Sequence, residues 1–261
     1  MSIGHHILRG VVCGLLAGLL AGFVALVVVE PTIDRAVALE AQRSIAATGS
    51  MPMDIFSRPI QHLGLLVAMG LIGTALGGLF GIVFFAVSGG RTDASPWERA
   101  LRVGGAFFVG FFLVPFVRYP ANPPGVGLPS TISQRSAAHF LATLLGLGAI
   151  WACWRMARWL QQRGVSQPIR QTAAALVFLT LIGGGYALLP NANDPVRVPA
   201  SLLWNFRLFS LATQALLWGG LAAGFGFWTE WKVWRSAPHA VTAQDRRGGS
   251  YVFSDQHRAG R

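Results

Sequence analysis

Charge is scarce in this chain and acid is scarcer: 12% of its 261 residues are charged, and 10 Asp and Glu stand against 21 Lys and Arg. With 53% of residues apolar, too little polar surface remains to clothe a soluble domain of this length. Cysteine is nearly missing. Cys13 and Cys153 offer neither a disulfide framework nor a zinc spacing, and both sit in apolar stretches as small helix residues. There is no Walker A sequence, no nucleophile elbow and no Cys/His metal signature, so no enzyme and no energy-coupling ATPase is expected.

What the chain does have is six stretches of about 15 to 25 residues without a charge, each near the roughly 20 residues that cross about 30 Å of hydrocarbon. They predict an all-α, polytopic membrane protein with spans near 7–29, 63–87, 103–117, 137–154, 172–189 and 208–228. The lipid bilayer is its expected solvent. The net charge of +11 belongs to this topology and not to a nucleic-acid surface, because the arginines sit at span ends and in short loops. The first thirty residues read as a span and not a cleaved signal peptide: the apolar run exceeds about 7 to 15 residues and no small-residue cleavage site follows.

The arginines also orient the spans. With a cytoplasmic N-terminus, fourteen Lys and Arg fall on the cytoplasmic side and seven outside: Arg35, Arg43, Arg58, Arg118, Arg135, Arg197 and Arg207. The loop holding Arg155, Arg158, Arg163 and Arg170 has no acid and is the firmest cytoplasmic anchor. Both termini are therefore expected in the cytoplasm. Residues 1–230 form the membrane domain, and 231–261, polar and basic, form a disordered cytoplasmic tail in contact with anionic lipid.

Glycines at 10, 14, 18 and 22 in the first span, and at 70, 73, 77 and 81 in the second, keep to one slowly drifting face of each helix. Such faces let backbones approach, which is the expected packing chemistry in lipid. Their expected role is within the chain, and a homo-oligomer is compatible with them.

Irregular and polar residues gather on the outer side. Glu30 ends the first span, Pro31 suits the first turn of a new helix, and Glu30, Asp34 and Glu40 can line that helix. The segment from Pro115 through Tyr119-Pro120-Ala121-Asn122-Pro123-Pro124 to Gly127 cannot continue a helix. If Pro115 lies inside the hydrocarbon, a freed carbonyl near Phe111 becomes an oxygen ligand; if outside, the segment is a rigid loop. Leu189-Pro190 to Pro199 repeats the pattern, and each segment leads to a Leu-Ala-Thr triplet, at 141–143 and 211–213. The pair suggests an internal repeat of helical hairpins, spans three and four matching five and six.

On the Val29-Glu30-Pro31 junction with its acidic helix, the Tyr119 to Pro124 loop, and Leu189-Pro190 followed by Val198-Pro199-Ala200-Ser201-Leu202-Leu203-Trp204 and the Arg207 to Trp218 helix, the chain resembles the CbtA family of cobalt transporter subunits. The resemblance covers about residues 7–230. It implies an integral protein of the bacterial plasma membrane associated with cobalt uptake, acting with a small CbtB-like subunit that carries a histidine-rich tail. Relatives with histidine beside the prolines ending spans three and five are not matched here, where Phe112-Leu113-Val114-Pro115 and Ala187-Leu188-Leu189-Pro190 stand.

No permanently bound cofactor is expected; cobalt(II) or another divalent cation is the expected substrate. Imidazole and carboxylate together suit a first-row divalent ion, which makes Glu30, Asp34, His62, His139 and Asp194 the candidate cation-path residues, with Glu40 beside them. His5 and His6 are expected at the cytoplasmic surface. The expected function is a membrane component of divalent-cation uptake that forms or contributes to the permease path. The alternative is a non-transporting scaffold whose outer loops bind another protein.

Overall fold

The computed structural model describes residues 2–50, 56–89, 94–191 and 196–236, the last five without their side chains. It is helical throughout, with no strand among the described residues. The helices are α1 (Ile3–Val28), α2 (Glu30–Thr48), α3 (Arg58–Ser88), α4 (Pro96–Phe107), α5 (Val114–Arg118), α6 (Ile132–Gln162), α7 (Gln167–Leu188) and α8 (Ala200–Ser236). A π-helical turn, Phe108–Leu113, joins α4 to α5, and a 3-10 turn, Pro129–Thr131, leads into α6.

Six helical segments are long and apolar enough to cross a membrane: Ile3–Val28, Arg58–Ser88, Pro96–Arg118, Pro129–Gln162, Gln167–Leu188 and Ala200–Trp231. All six expected spans are present. Most run past the charge-free windows, because arginine at a span end keeps its stem along the helix and its guanidinium in water. α8 continues to Ser236, so the first residues assigned to the tail are helical, and 237–261 lie outside the described residues.

The two glycine faces pack on each other. A Cβ placed on Gly10 would collide with the Gly77 carbonyl oxygen, one on Gly14 with that of Gly73, and one on Gly81 with that of His6. Backbone thus meets backbone along the antiparallel pair α1 and α3, an arrangement that gives carbonyl oxygens Cα–H partners as well as dispersion contacts. The pair closes against α4 and α8 over an aromatic core of Phe80, Phe84, Phe107, Trp218 and Phe225. Phe107 and Trp218 stack nearly parallel, with centroids 5.2 Å apart and planes 4° apart. Phe80 meets Phe225 edge-on at 5.1 Å. His6 is buried in this layer, with its ring 5.8 Å from Phe84 and 5.5 Å from Phe85, and does not sit at the surface. The rings around it, Phe84 and Phe85 of α3 and Phe225 of α8, come from other helices, which is why its own neighbours in sequence did not mark it as buried.

Pro115 lies inside the third span and is fully buried. Proline brings no N–H and crowds the carbonyl four residues before it. The chain accommodates this by widening one turn, and the Val114 N–H bonds back to the Val109 carbonyl. The Val114 carbonyl is in turn taken by the Tyr186 hydroxyl of α7. Beyond Arg118 the helix stops, as the prolines require. Gly125 and Gly127 there adopt φ of 76° and 94°, a left-handed backbone open chiefly to glycine.

α6 and α7 form a peripheral hairpin. α6 reaches the rest through the π turn and α5, where a Cβ on Gly146 would collide with the Gly110 carbonyl oxygen. α7 packs on α6, aided by a Cys153 Sγ to Ala174 carbonyl contact of 3.3 Å, and none of its residues is buried. Two arginines lock the loops over the end opposite the arginine-rich loop. Arg118 donates to the Leu189 carbonyl at 3.0 Å and to Asn191 Oδ1 at 2.7 Å, and Arg207 donates to Asn122 Oδ1 at 3.0 Å.

Candidate functional site

Where α1 ends, Val29 keeps helical angles (φ −88°, ψ −42°) and its N–H bonds to the Ala25 carbonyl, so α2 begins at once with Glu30 and Pro31 in its first turn. Pro31 gives up no bond there, and the Glu30 carboxylate faces the positive end of the new helix. Glu30 is only 8% exposed. Asp34, four residues on, shares its face.

The start of α3 supplies the facing groups. Arg58, Gln61 and His62 sit at i, i+3 and i+4 and therefore line one side of that helix. Arg58 Nη2 donates to Glu30 Oε2 at 2.6 Å and also to Asp34 Oδ1, while its Nη1 donates to Gln61 Oε1 at 2.6 Å. Gln61 Nε2 is fixed by the Phe56 carbonyl at 2.8 Å. His62 Nε2 lies 3.4 Å from the same Glu30 oxygen. Two carboxylates thus converge on a guanidinium, and an imidazole flanks one of them.

Three of the five candidate residues, Glu30, Asp34 and His62, are brought together in this way. His139 is exposed on α6, and no ion pair joins it to the cluster among the described residues. Asp194 lies outside the described residues. Glu40 is elsewhere, with its carboxylate beside Gly125 of the proline-rich loop. Arg58 and Gln61 were not singled out from the sequence beyond Arg58 as an outer charge. The signal for them was present: an Arg-Pro helix start followed by Gln and His at helical spacing.

Chemically the donor set suits a first-row divalent cation, yet its positive partner here is Arg58. Among the described residues, no group of three or more His, Cys, Asp or Glu is arranged to hold a metal ion by itself. A cation binding at Glu30 and Asp34 would therefore exchange with the guanidinium. Beneath the cluster lie the α1–α3 glycine contact and the aromatic core, both closely packed.

No curated protein and no solved structure matches the chain. A family model described as "Probable cobalt transporter subunit (CbtA)" matches residues 3–230, which contain all six spans, except the last residue of α8's span, and the Glu30 cluster. The chain is a multi-pass membrane protein that belongs to the CbtA family.

Proposed function

We propose that this subunit forms one wall of an inward path for cobalt(II) or a similar divalent cation, and that Glu30, Asp34 and His62 receive the cation at its outer mouth. The observation that carries the reading is the two-carboxylate, one-imidazole cluster held at the junction of α1, α2 and α3, with Glu30 almost fully buried. Burying an ionisable group in a membrane helix bundle is costly even when it is paired, which favours a functional reason for keeping it there. Arg58 supplies the compensating charge while no cation is there, and its departure toward water frees both carboxylates. The path is completed by a second subunit of the small, histidine-rich CbtB kind, since the closely packed core of this chain favours a route at its surface over one through its centre. The excess of arginine at the opposite end supports a bacterial plasma-membrane location with both termini in the cytoplasm.

A scaffold reading, in which the chain positions another protein and moves no ion, draws support from α7, whose residues are all unburied. The two readings separate in cobalt accumulation by metal-starved cells expressing the chain with its small partner. Glu30→Gln is expected to abolish uptake while leaving co-purification of the partner intact. Uptake equal to wild type in Glu30→Gln cells, with the protein present in the membrane, would leave the scaffold as the better account.

A further inference from the structure

At the end of the bundle opposite Glu30, a cavity of about 780 Å³ opens between the last turns of α3 and α6 and the first turns of α4 and α7. Its charged lining is Arg102, Arg158 and Arg170 against a single acid, Glu98. Glu98 is engaged by Arg102 at 3.4 Å. Arg158 lies over the Trp154 ring at 4.9 Å, and the half-buried Arg170 has no ion pair or hydrogen bond among the described residues. Two cationic groups thus line the cavity while its one carboxylate is paired with Arg102.

The helix ends around the cavity differ in the same sense. The first turn of α4 is satisfied: Glu98 N–H bonds to Ser95 Oγ at 3.2 Å and Trp97 N–H to Glu230 Oε2 at 3.0 Å. At α7 the Ser166 side chain makes no capping bond, which leaves first-turn N–H groups and a positive dipole end beside Arg170. Further into the span the lining turns apolar, at Ala157, one turn inward of Gln161, and Ala174, one turn inward of Arg170. Val87 of α3 also lines the cavity, and α7 packs on α6. Exposed Trp151, Trp154 and Trp159 mark this level as the membrane–water interface.

We infer that the cavity binds the headgroup of an anionic phospholipid, the phosphodiester against Arg158, Arg170 and the α7 N-terminus, and an acyl chain along Ala157 and Ala174. Guanidinium forks match phosphate oxygens, and the apolar inner wall has no use for a free anion. The site is independent of the Glu30 cluster and of the cation reading.

The test is native mass spectrometry of the full-length detergent-purified protein titrated with phosphatidylglycerol or with phosphatidylcholine of the same acyl chains. Wild type is expected to bind phosphatidylglycerol about tenfold more tightly, a preference that Arg158→Gln/Arg170→Gln removes and Arg155→Gln/Arg163→Gln, outside the cavity, keeps. Equal binding of the two lipids, a preference surviving the first pair, or one lost equally in the control pair overturns the site. Displacement of the lipid by equimolar inorganic phosphate would assign the cavity to a free anion and overturn the lipid. Should the variants not fold, a photoreactive phosphatidylglycerol on wild type decides the matter: label on residues 154–174 supports the site, and label confined elsewhere refutes it.

Discussion

Arg58 Nη2 sits 2.6 Å from Glu30 Oε2, and this one bond ties the first turn of α3 to the first turn of α2 across 28 residues of sequence. Under the proposed function it also sets a competition, because the oxygen that holds the guanidinium is the oxygen the cation would take.

Removing the competitor and removing the ligand should therefore act in opposite directions on cobalt binding. Arg58→Gln is expected to tighten binding by the purified protein about tenfold, and Glu30→Gln to weaken it by at least as much, the charge-assisted bond being worth about 2 kcal/mol. Radiocobalt equilibrium binding reads both. A loss of affinity in both variants would mean that Arg58 builds the site and does not compete for it.

The α1–α3 contact predicts a sharp contrast among glycines of the same helices. Gly14→Ala drives a methyl into the Gly73 carbonyl and should destabilise the fold by about 3 kcal/mol, since overpacking here moves backbone. Gly64→Ala meets nothing within 4 Å and should leave thermal stability in detergent unchanged or slightly raised.

Trp218 is 1% exposed and stacks on Phe107, and among the described residues its indole N–H has no hydrogen-bond partner. Trp218→Phe keeps a stacked ring and discards that N–H, so it should cost less than about 1 kcal/mol. Trp218→Ala opens a cavity in the aromatic layer and should cost about 3 kcal/mol. Thermal melting of the two variants side by side measures the difference.

Arg118→Ala removes donors from the Leu189 carbonyl and Asn191 Oδ1, and Tyr186→Phe frees the Val114 carbonyl. Hydrogen–deuterium exchange should rise across the end of α7 and the turn after α5 in each variant, with the first helical pair unaffected. A rise spread evenly over the protein would show that these bonds stabilise the whole fold and not one corner of it.

The six spans were legible because lipid tolerates so few charges that their absence alone marks a helix. The glycine faces were legible as close-packing surfaces, and their partners were not, since a spacing of four names a face without naming what it meets. Glu30, Asp34 and His62 stood out by residue type. Arg58 did not, because an arginine near a span end is ordinary and only the fold places its guanidinium between two carboxylates. The burial of His6 was hidden for a related reason: the rings around it come from α3 and α8. The π turn at Phe108–Leu113 is the response of a packed helix to Pro115, where sequence rules weigh a helix stop against a kink.

The hairpin of α6 and α7 is held where Gly146 touches Gly110 and where Tyr186 reaches Val114, and it is open at the far end. Mechanically that is the geometry of a lever pivoting near the middle of α6. The arm from Gly146 to Gln162 is about 24 Å long at about 1.5 Å per residue, so a tilt of about 5° carries its tip about 2 Å. A displacement too small to disturb the packing at the glycines thus becomes, at the arginines, a change comparable to the width of an oxygen atom.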